Sequence, residues 1–429
     1  RAGTAALADA LAAGQEHGEG GLAREAPAAT AGEVALLFGT AAQQGAWAAA
    51  DLLRAWPDAA CRLSRALGDD GALAMLAGRA TPDAPFFHEL VIASSQMQVL
   101  AGFALDVLGV KARRAWGVSL GESNALIAAG AWRDMGALFA EMRDTLHFDD
   151  AAGGAFAAER AHWSAAGHAA LAAGVPWRAV VVRAPVNAIE QALGAPDIAG
   201  RAFLLVIHAD DEVEVGGAPD AVAALVARLG VVPVELPRMP AVHCALLQPA
   251  AADYRALHRR VISPPDVEAW GAHGRLPTEQ GSDAVADAIL AQALGTVDVR
   301  ASLRRLLAAG SRILLDLSPR GLAGSWARRA LPATVDVISA DGGAAGATWA
   351  AAQLAVAGVP LNVARLLGSA PAPAHVASPV LRVPAHRVMR RAALPALTAE
   401  RMTPPPRLPR VSPLPPSPPG RSATASAAA

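Results

Sequence analysis

Cysteine is almost missing from this chain: 429 residues contain two, Cys61 and Cys244. Two thiols build no disulfide framework and neither sits in a zinc-binding spacing, so a reducing, cytoplasmic setting without a metal site is expected. Lysine is scarcer still. Lys111 is the only one and lies in no glycine-rich loop, which excludes Schiff-base or phosphate-loop chemistry on a lysine anywhere else. Net charge is lacking too: 37 Lys+Arg against 38 Asp+Glu leave −1, no electrostatic footprint for nucleic acid or an anionic membrane. Long unbroken apolar runs are absent. The most apolar long segment, Glu89–Val110, is interrupted by Ser94, Ser95, Gln96, Gln98 and Asp106, and reads as a buried core helix. Residues 1–32 carry no basic-then-apolar leader and begin at Arg1, so the sequence reads as a piece of a longer polypeptide.

What is present is apolar material: 53% hydrophobic and 17% charged residues, enough for one large or two moderate domains and too much for disorder throughout. Residues 1–32, rich in Ala, Gly and Glu without a period, read as an N-terminal linker. Glu33–Gly39 reads as a buried parallel strand, Phe86–Val110 as a long core helix, and Arg114–Val118 as a second strand running into a small-residue helix. From Trp177 the rhythm changes. Strands at Ala179–Val182, Phe203–Ile207, Glu212–Val215 and Val231–Glu235 alternate with helices at Val186–Leu193 and Ala218–Leu229, the β-α-β-β-α-β order of a ferredoxin-like subdomain. Helices near Leu247–His258 and Ala284–Ala293 and a strand at Arg312–Leu317 follow. The expected architecture is α/β: an α/β-hydrolase-like core over 33–176 and 239–367, with a ferredoxin-like subdomain inserted at 177–238. Residues 368–402 read as a linker and 403–429, dense in proline, as a disordered spacer.

The pentapeptide Gly117-Val118-Ser119-Leu120-Gly121 lies between strand and helix. A serine on such a strained turn presents its hydroxyl clear of the sheet, flanking glycines let the turn close, and the helix start offers backbone N–H groups to an oxyanion. A glycine-rich helix start in the core is the plain alternative. A serine nucleophile needs a base, and of 11 histidines His243 stands out, at a loop-to-helix junction just after the expected subdomain.

These residues resemble a family. GVSLGE followed by small residues, PAVHCALLQPAA after the insert, and ILLDLSPRGL are similar, in the same order over roughly 33–365, to the malonyl-CoA:acyl-carrier-protein transacylase family. Within it, GESNALIAAGAW and VLRVPAHR before a proline-rich tail resemble acyltransferase domains of polyketide and polyunsaturated fatty-acid synthases. The resemblance implies a Ser119 nucleophile with His243 as general base, and an oxyanion hole from the backbone N–H groups of Leu120 and Ala41. It also implies that Arg143 pairs with the free carboxylate of a malonyl-type unit, a role that suits a planar two-pronged donor. It implies acyl-CoA as donor, the phosphopantetheine of a partner acyl carrier protein as acceptor, neighbouring synthase domains as partners, and no bound cofactor, metal, nucleic acid or membrane. Ser119 Oγ and a His243 nitrogen are then expected within hydrogen-bonding reach, in a cleft between the two lobes.

The sequence departs from the family in three places. Thr40-Ala41-Ala42-Gln43-Gln44 stands where GQGSQ is usual, Val118 replaces the histidine before the nucleophile, and Pro240-Ala241-Val242-His243 occupies the substrate-selecting tetrapeptide. The Ser119-to-His243 interval is also long, with the surplus in 147–175 read as a loop or helical insertion. Two other readings stay open: a degenerate acyltransferase domain serving as a scaffold, and an α/β-hydrolase with Asp210 or Asp211 as its acid.

Overall fold

The computed structural model describes residues 33–40, 49–67, 86–145, 148, 150, 154–236 and 239–368. The readings of 1–32 and of 369–429, and the position of Ala41, lie outside the described residues.

The strands are β1 (Val34–Phe38), β2 (Arg114–Gly117), β3 (Arg178–Val182), β4 (Ala202–Ala209), β5 (Glu212–Gly217), β6 (Val234–Glu235), β7 (Glu268–Gly271), β8 (Gly274–Arg275), β9 (Val297–Asp298), β10 (Ile313–Asp316) and β11 (Asp336–Ser339). The larger sheet runs β11-β10-β1-β2-β7-β8, parallel except that β8 folds back on β7. β1 is apolar at every position because both faces of a central parallel strand are covered. Val34, Leu36 and Phe38 enter one hydrophobic cluster, and Ala35 and Leu37 the other.

The first cluster holds the helix Phe86–Gly102 and its π-helical continuation Phe103–Val107. By length and composition Phe86–Val107 passes as a membrane span, yet 78% of its most apolar window is buried in the protein. Ser94, Gln98 and Asp106 among its polar interruptions have partners. Gln98 Nε2 donates to Asn124 Oδ1 at 2.9 Å, Asn124 Nδ2 donates to Ser94 Oγ at 3.1 Å, and Asp106 receives both Nε and Nη2 of Arg62. Buried polar groups satisfied in this way fix one helix against another instead of penalising burial.

The second cluster joins the other face of the large sheet to the smaller sheet, β6-β3-β5-β4-β9, antiparallel except for β4 with β9. Trp116 at its centre donates its indole N–H to Ser302 Oγ at 2.7 Å. The described residues form one compact unit.

Several elements differ from expectation. The strand read over Val231–Glu235 shrinks to Val234–Glu235, since Pro233 offers no N–H to a ladder. β7, β8, β9 and β11 were not expected; at two to four residues they hold too few positions to show alternation. β9 also extends the small sheet with residues from outside 177–238. The surplus at 147–175 includes two helices, Ala157–Ala165 and Ala169–Ala173, with the buried Trp163 donating to Pro176 O.

Two packing features carry predictions. A Cβ on Gly121 would run into the backbone of Phe38 at the end of β1, and a Cβ on Gly117 into the backbone of Gly121. Gly121→Ala is expected to destabilise by more than about 3 kcal/mol in urea unfolding, because backbone cannot move aside as a flexible side chain does. The second concerns Glu122, fully buried, whose Oε1 accepts from Ala272 N at 2.6 Å while Oε2 lacks a partner. Burial raises its pKa from 4.5 to about 8, against the lowering effect of that hydrogen bond. A raised folded-state pKa gives stability that is complete below the unfolded value and lost as pH rises through the folded one. Between pH 4.5 and 8, Glu122→Gln should therefore gain on the wild type in unfolding free energy, by up to about 5 kcal/mol. An unchanged difference across that window would show that Glu122 does not titrate there.

Candidate active site

β1, β2 and β10 end together at one edge of the large sheet, where parallel α/β sheets place their ligand crevices. β2 stops at Gly117, and the chain turns through Ser119 into the helix Leu120–Ala128. Ser119 has φ 55° and ψ −128°, a strained conformation for a residue with a side chain. The turn closes because both flanking glycines lack the Cβ that would block it. Leu120 opens the helix, so its N–H has no intrahelical acceptor and is available to an oxyanion.

His243 is 3% exposed and also left-handed, at φ 65°. Its Nδ1 lies 2.8 Å from Gln292 O, and its backbone N donates to Ala293 O. A carbonyl only accepts, so Nδ1 carries the proton and Nε2 keeps its lone pair, the tautomer a base requires. Burial lowers the imidazole pKa below 6.5, with the Gln292 hydrogen bond and the charge of Glu214 opposing. The ring is thus neutral near pH 7.

Gln292, absent from the sequence-derived set, joins the two. Its Oε1 accepts from Ser119 N at 2.9 Å, its Nε2 donates to Ser119 O at 3.3 Å, and its own carbonyl holds His243. The one available signal was a glutamine inside the apolar run AILAQAL of the helix Ser282–Leu294, where it is 1% exposed.

Ser119, Leu120, His243 and Thr40 line one cavity of about 1090 Å³ between the large sheet's helices and the small sheet. No direct hydrogen bond joins Ser119 Oγ to His243 in this structure; catalytic contacts are often looser without substrate. Arg143 is not on the cavity wall. It sits near the end of the helix Met135–Asp144 with its side chain 64% exposed, paired with Asp144 at 2.9 Å. Leu138, Phe139 and Met142 of that helix line the cavity instead, since position 143 falls on the helix's outer face. The hydrolase acid is not there either: Asp210 pairs with Arg300 and Asp211 with Arg329, both exposed, and neither lines the cavity. His273 is exposed.

The small-sheet wall carries a charged cluster. The buried His208 stacks on Trp326 with ring centroids 4.8 Å apart. Its Nε2 is 3.1 Å from Glu214 Oε1, an ion-pair distance at an angle outside hydrogen-bond geometry, and its Nδ1 is 3.8 Å from Glu212 Oε1. Burial alone would lower the His208 pKa, but Glu214 and Glu212 push it up to about 9. His208, with Arg329 and Arg183, holds Glu212 down at about 2.

No protein-family profile and no curated protein matches the chain. Solved structures do. The acyltransferase domain of the second module of the salinomycin polyketide synthase matches with a TM-score of 0.65 and 19% identity, over 85% of this chain and 83% of that one. An acyl carrier protein S-malonyltransferase from Vibrio cholerae matches at 0.58 and 18%, over 72% and 97%. A malonyl-transacylase solved in complex with its type II polyketide-synthase acyl carrier protein matches at 0.55 and 18%, over 74% and 98%. The chain thus has the mixed α/β fold shared by polyketide-synthase acyltransferase domains and malonyl transacylases.

Proposed function

We propose that this chain is an acyltransferase, loading an acyl unit from acyl-CoA onto the phosphopantetheine thiol of an acyl carrier protein in polyketide or fatty-acid biosynthesis. The observation that carries this reading is Gln292: one residue fixes both the backbone of a strained serine and the tautomer of a buried histidine, in one cavity. The fold supports it, read as an α/β-hydrolase-like core with a ferredoxin-like subdomain. A carrier protein and neighbouring synthase domains are the partners in this reading, and the cytoplasm its setting.

Ser119 Oγ attacks the thioester carbonyl while His243 Nε2 takes its proton. The C–S bond breaks, the CoA sulfur leaves with the proton returned by His243, and an acyl-Ser119 ester remains. In the second half His243 deprotonates the carrier thiol, whose sulfur attacks the ester carbonyl; the C–O bond breaks, Ser119 Oγ leaves and takes the proton back from His243, and the acyl group ends as a thioester on the carrier. The oxyanion of each tetrahedral state is held by the Leu120 N–H, with the Ala41 N–H as the second donor the family resemblance implies. Only the protein's own groups and two thiols take part.

Incubation with acyl-CoA should give an adduct on the Ser119 peptide that Ser119→Ala lacks. An adduct on Cys61 or Cys244 instead would remove the serine mechanism, and none at all would favour the scaffold reading. His243→Ala should slow acylation by about 10² to 10⁴. Gln292→Ala, which removes both side-chain bonds to Ser119 and leaves the backbone carbonyl that holds His243, should cost about 10². The base works unprotonated, so the rate should be flat above pH 6.5 and fall only below it, following the lowered pKa of His243. An acid limb starting above 6.5 would point to another base.

A further inference from the structure

We propose that Glu214 is a positioning residue for the acyl transfer described above, a reading on which this inference rests: its carboxylate, held in the cavity wall by His208, acts on His243 and favours positive charge on that ring during proton transfer.

The wall is built to keep a carboxylate there. Glu212 and Glu214, two apart on β5, share a face and both line the cavity. On β4 the pairing with β5 slips between Ile207, opposite Val213, and Ala209, opposite Glu212, so His208 is an extra residue in the ladder. A bulge of this kind re-aims one side chain. The His208 ring lies 3.1 Å from Glu214 Oε1 and 3.8 Å from Glu212 Oε1, backed by Trp326. Glu212 is also paired with Arg183, just after β3, and with Arg329 on the helix Leu322–Ala330. A buried ion pair adds little net stability, because desolvation takes back most of the attraction. Apolar residues could fill the same space, so the cluster calls for a reason beyond holding the sheet together.

His243 supplies one. It lines the same cavity and is buried. On taking the Ser119 proton its ring becomes a cation in a site where fixed charges and dipoles must replace water. The Gln292 carbonyl meets Nδ1, and the charge of Glu214 works in the same direction, raising the His243 pKa against the effect of burial. No proton reaches Glu214. It passes from Ser119 Oγ to His243 Nε2 and on to the leaving sulfur, and the carboxylate contributes its field alone.

The test follows acylation of Ser119 in the full chain, in single turnovers with malonyl- and acetyl-CoA over about pH 4.5 to 8.5, by intact-protein mass spectrometry. Glu214→Gln keeps the shape and removes the charge. It should lower the plateau rate about tenfold and move the acid limb to lower pH, because a less basic His243 takes its proton later as pH falls. Glu214→Asp should restore most of the rate and return the limb. Glu235→Gln removes another carboxylate of the cavity, one paired with Arg178 at 2.6 Å, and should leave rate and limb in place. In His208→Gln the buried Glu214 loses its partner and takes up a proton, so the profile should match that of Glu214→Gln, and the double variant should be no slower than either single one. An unmoved limb in Glu214→Gln, or an equal shift in Glu235→Gln, overturns the inference while acyl transfer stands. Should Glu214→Gln not fold, the limb in His208→Gln decides in the same way. If neither donor labels Ser119 in the wild type, the acyl-transfer reading fails and takes this inference with it.

Discussion

Everything at the candidate site depends on the docking of one residue. Gln292 sits in a helix that follows the small lobe, 173 residues after Ser119 and 49 after His243, and bonds to both. Two residues held with positive φ each carry a cost of order 1–3 kcal/mol, which persists only where the surroundings over-determine the conformation. The amide of Gln292 does this for Ser119 from both sides of the residue, through its N–H and its carbonyl. Its backbone does it for the imidazole. The Gln292 carbonyl occupies the His243 Nδ1 position at which a carboxylate would otherwise bind; Asp210 and Asp211 are engaged in surface ion pairs with Arg300 and Arg329.

The large sheet makes that docking possible by separating two cores. Alternate residues of β1 and β2 enter opposite clusters, so the helices of the first core and the small sheet of the second are both registered against the same strands. The cavity opens where these layers part, at the ends of β1 and β2. Its two sides differ in character. The helical side is lined mostly by aliphatic and aromatic groups, whereas the small-sheet side carries His208, Arg183 and three glutamates.

Parts of this were legible before any coordinates. β1, the long core helix and the Gly117–Gly121 turn are written in local pattern: an unbroken apolar run ended by glycine, an apolar stretch of helical length, and small residues where a sharp turn needs them. The Trp177–Glu235 rhythm was equally plain, because its strands are long enough to alternate. β7, β9 and β11 were not, since two- to four-residue strands exist by pairing with a neighbour and carry no period of their own.

The side chains that meet in the cavity divide in the same way. Ser119 and His243 announce themselves by their neighbours in sequence, and that was sufficient to nominate them. Arg143 was nominated by the family resemblance, but one residue along a helix rotates a side chain by about 100°, enough to exchange a cavity for solvent. Gln292 carries no local mark beyond being polar among apolar residues, and His208 with Glu212 and Glu214 reads as ordinary strand alternation. The sequence by itself determined β1, the long core helix and the Gly117–Gly121 turn, because those choices are settled by backbone sterics and by burial of adjacent residues. Which polar groups face one another across the cavity was decided by tertiary structure alone, since hydrogen bonds and ion pairs act over about 3 Å and join residues as distant in sequence as Ser119 and Gln292, 173 positions apart.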